Sequence, residues 1–402
     1  MRPATIRGRG QEWLKLPVAA VEDRSMPEAS SRPLHLGHGA PPAATSAHPA
    51  TETWLRRRHR AVALLAAFLL VGTALVSTTR PTAATATTVA ASGWHKGANL
   101  ASWWYDEWEQ SSSDASLSAL RATGSTDAAF VVTWYMASRT SSMVAPDSLK
   151  TPTDAGLLRA MAKARALGMR VVLKPHVDVV DGSFRGDIAP DSPKKWFNSY
   201  TTMLNRYAAL AQKAGAELLV VGTELSSMSR YEKDWRGMIA GARTRFSGQI
   251  TFGANWIAGA GLVKFWDALD YIGIDAYMPL ASSSTPNPTV DQLAAAWRDR
   301  GYVKEIGSLQ ARWAKPVLFT ELGYQSRIGT AVTPWYTTGP VDREAQRRAY
   351  EATYQVWAGV SWFKGIYWWD WNPSYFDPAD GNFNPRGKPA EATVTAWNAV
   401  IP

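Results

Sequence analysis

The 402-residue chain contains no cysteine. That excludes a disulfide framework, a thiol nucleophile and thiolate metal sites, while leaving the redox compartment open. It has no glycine-rich turn of the GxGxxG type either, so a doubly wound dinucleotide-binding sheet has nothing to cradle its cofactor. Positive charge is scarce where a binding surface would need it. The net charge is +9, yet the first 86 residues hold 11 Lys/Arg against 5 Asp/Glu and account for six of those charges. The remainder shows no Lys/Arg cluster, and no nucleic-acid partner is expected. His176 and Asp178 find no third ligand at helpful spacing, and the segment from Asp377 to Asp380 is too short for a calcium loop. No metal and no cofactor is expected.

What is present falls into unequal parts. Residues 1–53 are rich in Pro, Ala, Ser, Arg and His without a sustained apolar period, the composition of a disordered tail. Arg56, Arg57, Arg58 and Arg60 then precede an uncharged apolar stretch over residues 61–77, with small residues at 84–86. Positive flank, apolar core and small residues predict a signal peptide or signal anchor over 54–80, followed by a linker over 81–92. The domain over 93–402 is therefore expected outside the cell or at its surface, as a monomer, with membrane anchoring through residues 61–77 as one outcome.

From Trp94 on, strand-like runs alternate with amphipathic helical segments, the pattern of parallel strands and crossover helices. Eight strands are predicted: 96–101, 128–135, 170–176, 217–224, 249–256, 271–277, 316–321 and 365–371. Helices are expected over 154–167, 196–214 and 234–246, with Gly168 and Gly215 at C-terminal caps. Eight such units close a (β/α)8 TIM barrel, whose functional groups stand at the C-terminal ends of the strands.

Two of those ends repeat a pattern. The run ending in Gly222, Thr223 and Glu224 and the run ending in Thr320, Glu321 and Leu322 each deliver Thr-Glu after a hydrophobic stretch. Paired carboxylates are what glycoside hydrolysis requires. The other ends supply Asn99 with Trp103, His176, Asn255 with Trp256, Tyr277, and Trp368 with Trp369; Trp335 stands in the long segment after strand seven. Amide, phenol and indole groups together suit a polysaccharide or oligosaccharide partner. Of the 20 tryptophans, 18 follow residue 90; Trp297, Trp313 and Trp357, at helical spacing from other apolar residues, are expected in the core. Lys174, His176 and Asp178 alternate and share one face, either as an internal ion network or as partners of sugar hydroxyls. Lys174 fits the network better. Asp275 fits a buried structural acid, and Tyr277 is placed to hydrogen-bond the nucleophile.

The motifs GANLASWW, LKPHVDV with Phe184-Arg185-Gly186, VGTEL, ANW, DYIGIDAY, KPVLFTELGY, YWWDW and Pro385-Arg-Gly-Lys-Pro resemble those of glycoside hydrolase family 113, endo-β-1,4-mannanases among the retaining barrel glycosidases. The resemblance spans about residues 93–402. It implies that Glu224 is the general acid/base and Glu321 the nucleophile, with Tyr277 and the strand-eight tryptophans around the reactive sugar. One departure stands out. Related barrels usually carry Asn before the acid/base, contacting the sugar 2-hydroxyl, and here the residue is Thr223, which leaves that contact to His176 or Asn255. The expected function is thus an exported retaining hydrolase of β-1,4-mannan. Alternatives are a β-glucanase or β-galactanase on the same scaffold, or a barrel that binds cell-wall polysaccharide without cutting it.

Overall fold

The computed structural model describes residues 93–402. The expected tail, signal segment and linker over 1–92, including residues 61–77, lie outside them. Eight strands form a closed parallel barrel in chain order: β1 His95–Ala101, β2 Asp127–Met136, β3 Arg170–Val179, β4 Leu218–Thr223, β5 Gln249–Asn255, β6 Ile272–Asp275, β7 Val317–Leu322 and β8 Phe363–Trp368, with β8 closing on β1. Nine α-helices lie among the described residues: α1 Ser111–Ala122, α2 Asp154–Ala166, α3 Pro193–Ala214, α4 Glu232–Arg243, α5 Trp256–Leu262, α6 Val290–Asp299, α7 Tyr302–Trp313, α8 Arg343–Trp357 and α9 Pro389–Val400. None is long and apolar enough to cross a membrane.

Local chemistry sets the helix ends. The Thr153 hydroxyl accepts from Gly156 N–H at the start of α2 and Asp342 caps α8, relieving the unpaired first-turn N–H groups. Thr289 and Gln292 cap α6 reciprocally, the capping box. Gly215 closes α3 in the left-handed region with φ 64°, where a Cβ would be strained.

Strand alternation sorts the core into two layers. One set of side chains faces the barrel lumen: Ala129, Val172, Leu218, Val220, Tyr271, Leu318 and Tyr367. Gly97 in β1 makes room there, since a Cβ at that position would lie 2.6 Å from the Tyr367 ring. The opposite set packs outward against the helices, where Trp297 stacks on Phe319 and meets Trp357 edge to face. Trp297 and Trp357 are fully buried and Trp313 is partly buried against the same layer, as their helical spacing predicts.

The floor of the barrel is polar. His95 Nδ1 lies 2.8 Å from Asp127 Oδ1, Arg170 Nη2 donates to Asp127 Oδ2 at 2.6 Å, and the Tyr367 hydroxyl lies 2.8 Å from His95 Nδ1. Asp127 is wholly buried. Burial would raise its carboxyl, but His95 and Arg170 outweigh that and hold it well below the usual carboxylate range.

Candidate active site

At the opposite rim, β3 supplies the charge. Lys174 and His176 point inward two residues apart, and both are buried. Lys174 Nζ lies 2.5 Å from Glu321 Oε1 and 3.4 Å from Asp275 Oδ1, and donates to the Thr320 carbonyl at 3.1 Å. The Tyr277 hydroxyl donates to Glu321 Oε2 at 3.0 Å. Glu321 is thus held on both oxygens. Burial alone would push its carboxyl up; the Lys174 ammonium overrides burial, and Glu321 stays below the usual carboxylate range. His176 Nε2 approaches Glu321 Oε1 at 3.4 Å but makes no hydrogen bond. Burial lowers that imidazole to about 4, so the ring is neutral at pH 7.

Asp275 sits beneath. It is fully buried, accepts from the Thr320 hydroxyl at 2.7 Å, and is pushed well above the carboxylate range by burial and by the neighbouring Glu321 charge. A neutral Asp275 leaves the lysine to Glu321, the carboxyl it touches most closely. The buried structural acid expected from sequence is what the packing shows.

Glu224 follows β4 with φ 55°. A side-chain-bearing residue in the left-handed region is uncommon, and such strain collects at functional sites. The conformation is fixed by Glu224 N–H donating to the Gly253 carbonyl at 2.7 Å and by Ser226 N–H returning to the Glu224 carbonyl at 2.8 Å. Burial raises the Glu224 carboxyl to about 7, against the lowering effect of Arg185, whose Nη1 donates to Glu224 Oε2 at 3.0 Å. The Glu321 charge adds to the rise. One glutamate is therefore held ionised and the other holds its proton near neutrality, the division of labour between two carboxyls that acid-assisted glycoside cleavage uses.

Aromatic groups surround the pair. Trp369 stacks on His176 with centroids 6.1 Å apart and planes 5° from parallel, and Trp103 meets Trp369 edge to face at 6.5 Å. On the side of β5, Trp256 packs against Trp335 at 5.1 Å. Trp256 also has positive φ, 57°, just after the half-buried Asn255. The exposed aromatic rings among the described residues, Trp103 to Tyr105, Phe184, Trp335, Tyr336, Tyr375 and Phe376, all lie in loops that follow strands, on the face that carries the glutamates.

Two expected site residues are corrected. Trp368 is buried, stacks on Tyr350 at 3.8 Å and donates its indole N–H to the Tyr354 hydroxyl. It faces α8, to which both partners belong, whereas Trp369, just past the end of β8, stacks on His176. Asn99 is fully buried and donates both amide hydrogens, to the Thr320 and Tyr367 carbonyls at 3.1 Å, so it ties strands together rather than meeting substrate. Arg185 was missing as a contact of Glu224. The only sequence signal for it was its place in the Phe184-Arg185-Gly186 motif. Among the described residues, no group of three or more His, Cys, Asp or Glu is arranged to hold a metal ion.

Glutamates at the ends of β4 and β7 of a closed (β/α)8 barrel, ringed by indoles, are the arrangement of a barrel glycoside hydrolase. The family model for Glycoside Hydrolase Family 113 matches residues 102–386, and the chain belongs to that family. Among solved structures it is similar to a GH113 β-mannanase from Alicyclobacillus acidocaldarius in complex with ManMIm, at 30% identity and a TM-score of 0.70, covering 77% of this chain and 98% of that one. It is also similar to a GH113 β-1,4-mannanase in a complex, at 26% identity and a TM-score of 0.69, covering 77% and 99%. A Ruminococcus gnavus β-glucuronidase, 14% identical with a TM-score of 0.51 over 76% of this chain and 50% of that one, shares the fold alone. Comparison with curated proteins gives no match.

Proposed function

We propose that the chain hydrolyses β-1,4-linked mannan with retention of configuration, Glu321 acting as nucleophile and Glu224 as acid/base. The observation that carries this reading is the contrasting surroundings of the two strand-end carboxyls: Lys174 and Tyr277 grip both oxygens of Glu321, while Glu224 is buried with Arg185 as its hydrogen-bond donor. In the first step a Glu321 oxygen bonds to the anomeric carbon as the glycosidic C–O bond breaks, and the Glu224 proton passes to the departing oxygen. In the second, water attacks the same carbon, its proton goes to Glu224, and the ester to Glu321 breaks. The choice of mannan rests on the family and on the β-mannanase titles of its structural relatives. Export, with residues 61–77 as signal or anchor, rests on the charge and apolar pattern of the N-terminal segment.

The two glutamates should fail differently. Glu321→Ala is expected to be inactive on every substrate, including aryl β-mannosides with activated leaving groups. Glu224→Ala is expected to glycosylate from such a mannoside, to accumulate the covalent intermediate, and to recover turnover with azide to give a β-configured azide. Mass spectrometry of the trapped enzyme and NMR of the product read the outcome. An α-configured azide from Glu224→Ala would reject retention, and faster cleavage of gluco- or galacto-oligosaccharides than of manno-oligosaccharides would reject mannan.

A further inference from the structure

Arg185 is held by three partners. The turn over Arg185–Asp187 folds the β3 loop back over the end of its own strand. Arg185 Nε donates to the Val177 carbonyl at 3.0 Å, Nη2 pairs with Asp178, and Nη1 donates to Glu224 Oε2 at 3.0 Å. The loop is also tied to the loop that carries Glu224: Ser227 N–H donates to the Gly186 carbonyl at 3.0 Å and the Ser227 hydroxyl donates to the Ile188 carbonyl at 2.5 Å. Gly186 allows this close fold, since a Cβ there would lie 2.2 Å from the Phe184 ring.

We propose that Asp178 and Arg185 are a positioning pair for Glu224, in which the guanidinium fixes the carboxyl's orientation and, attenuated by the Asp178 charge, sets the pH at which it releases its proton. This rests on Glu224 being the acid/base. A bare arginine against a general acid would strip its proton at neutral pH, and no arginine at all would leave a buried carboxyl too weak an acid to protonate the leaving oxygen in the first step. A cation whose charge is partly neutralised from behind lies between those limits. The other charged or titratable groups around Glu224 are Glu321 from β7, Lys174 from β3, and Asp275 and Tyr277 at the end of β6. Among the described residues Arg185 makes the side-chain hydrogen bond to the Glu224 carboxyl, and Asp178, with Tyr135 beside it on β2, is the carboxylate paired with that guanidinium.

The sign differs for the two members. Glu224 must be protonated to cleave an unactivated bond, so its ionisation forms the alkaline limb of kcat/KM. Arg185→Met removes a stabiliser of the carboxylate, and the limb should rise by about one pH unit or more. Asp178→Asn frees the full arginine charge, and the limb should fall. Arg185→Lys, keeping a charge without the planar fork, should leave the limb near its original position while kcat drops. The measurement is kcat/KM for β-1,4-mannohexaose across pH, and limb position does not depend on how much of a preparation is folded. Limbs that stay fixed in both Arg185→Met and Asp178→Asn, or that move the same way, overturn the proposal; if Arg185→Met yields no soluble protein, an Asp178→Asn limb that is unmoved or raised overturns it alone. Glu224→Ala separates this from the underlying reading: full activity on mannohexaose in that variant removes Glu224 as the acid, whereas its loss together with fixed limbs removes only the role given to Asp178 and Arg185.

Discussion

Lys174 is the residue on which the candidate site turns. It is buried, and its nearest carboxyl is Glu321 at 2.5 Å. Lys174→Met should leave Glu321 with burial and without its counter-charge, so that its pKa rises and the acid limb of kcat/KM moves up by about one to three pH units. The direction follows because the nucleophile must be ionised, and activity appears only above its pKa. A pH profile on an aryl β-mannoside checks it; an unmoved acid limb would return Lys174 to a purely structural part. In the sequence, Lys174 stood in an alternating run with His176 and Asp178, and that spacing was enough to place all three on one face. It could not show that Lys174 would meet Glu321 and Asp275 or that His176 would approach Glu321, because those carboxyls arrive from β6 and β7 over long sequence separations.

At the scale of elements, strand order and number were legible because hydrophobic runs and helical periods alternate cleanly. Phase was less so. In β7, Phe319 pairs with Ile366 and Leu322 with Trp368, so three steps on one strand oppose two on the other. Such a bulge re-aims a side chain, and here Thr320 and Glu321 both face the lumen although strict alternation would turn one of them away. Trp368 packs on α8, whereas Trp369, just past the end of β8, stacks on His176, and that removes Trp368 from the site. Short apolar runs do not reveal where a bulge falls, which is why Trp368 and Trp369 looked equivalent from sequence. The loop after β7 brings Trp335 to Trp256, whose left-handed backbone is held at the end of β5. Trp335→Ala should remove a stacking surface for bound sugar and raise KM severalfold, with a smaller fall in kcat, on manno-oligosaccharides long enough to reach it. Equal kinetics on long and short substrates would make the Trp256–Trp335 contact a packing feature only.

For the molecule as a whole, the two ends of the barrel carry different burdens. In the floor triad, His95 and Asp127 are buried and Arg170 partly so, and all three are far in sequence from the glutamates. It was not legible in advance: Asp127 precedes an apolar run like an ordinary strand-leading acid, and nothing local announces the partners it meets from β1 and β3. Asp127→Asn should cost about 3 kcal/mol by leaving Arg170 without its buried partner, read in chemical denaturation. Because the Asp127 pKa is depressed in the folded state, its contribution is full above the unfolded carboxylate value near about 4 and is lost as pH falls below it. Stability of the unaltered protein should therefore decline more steeply on acidification than that of Asp127→Asn. Parallel slopes would show that the triad does not hold its charge.

The distribution of the exposed rings makes the barrel two-faced. With the exposed aromatic side chains of residues 93–402 gathered in loops on one face, the domain has a preferred side for settling on anything flat and apolar-faced, including a sheet of packed sugar chains. A molecule that alights this way comes down mouth first. An approach from that side presents the barrel mouth to the surface, so any such alignment would be written into the loops that follow the strands.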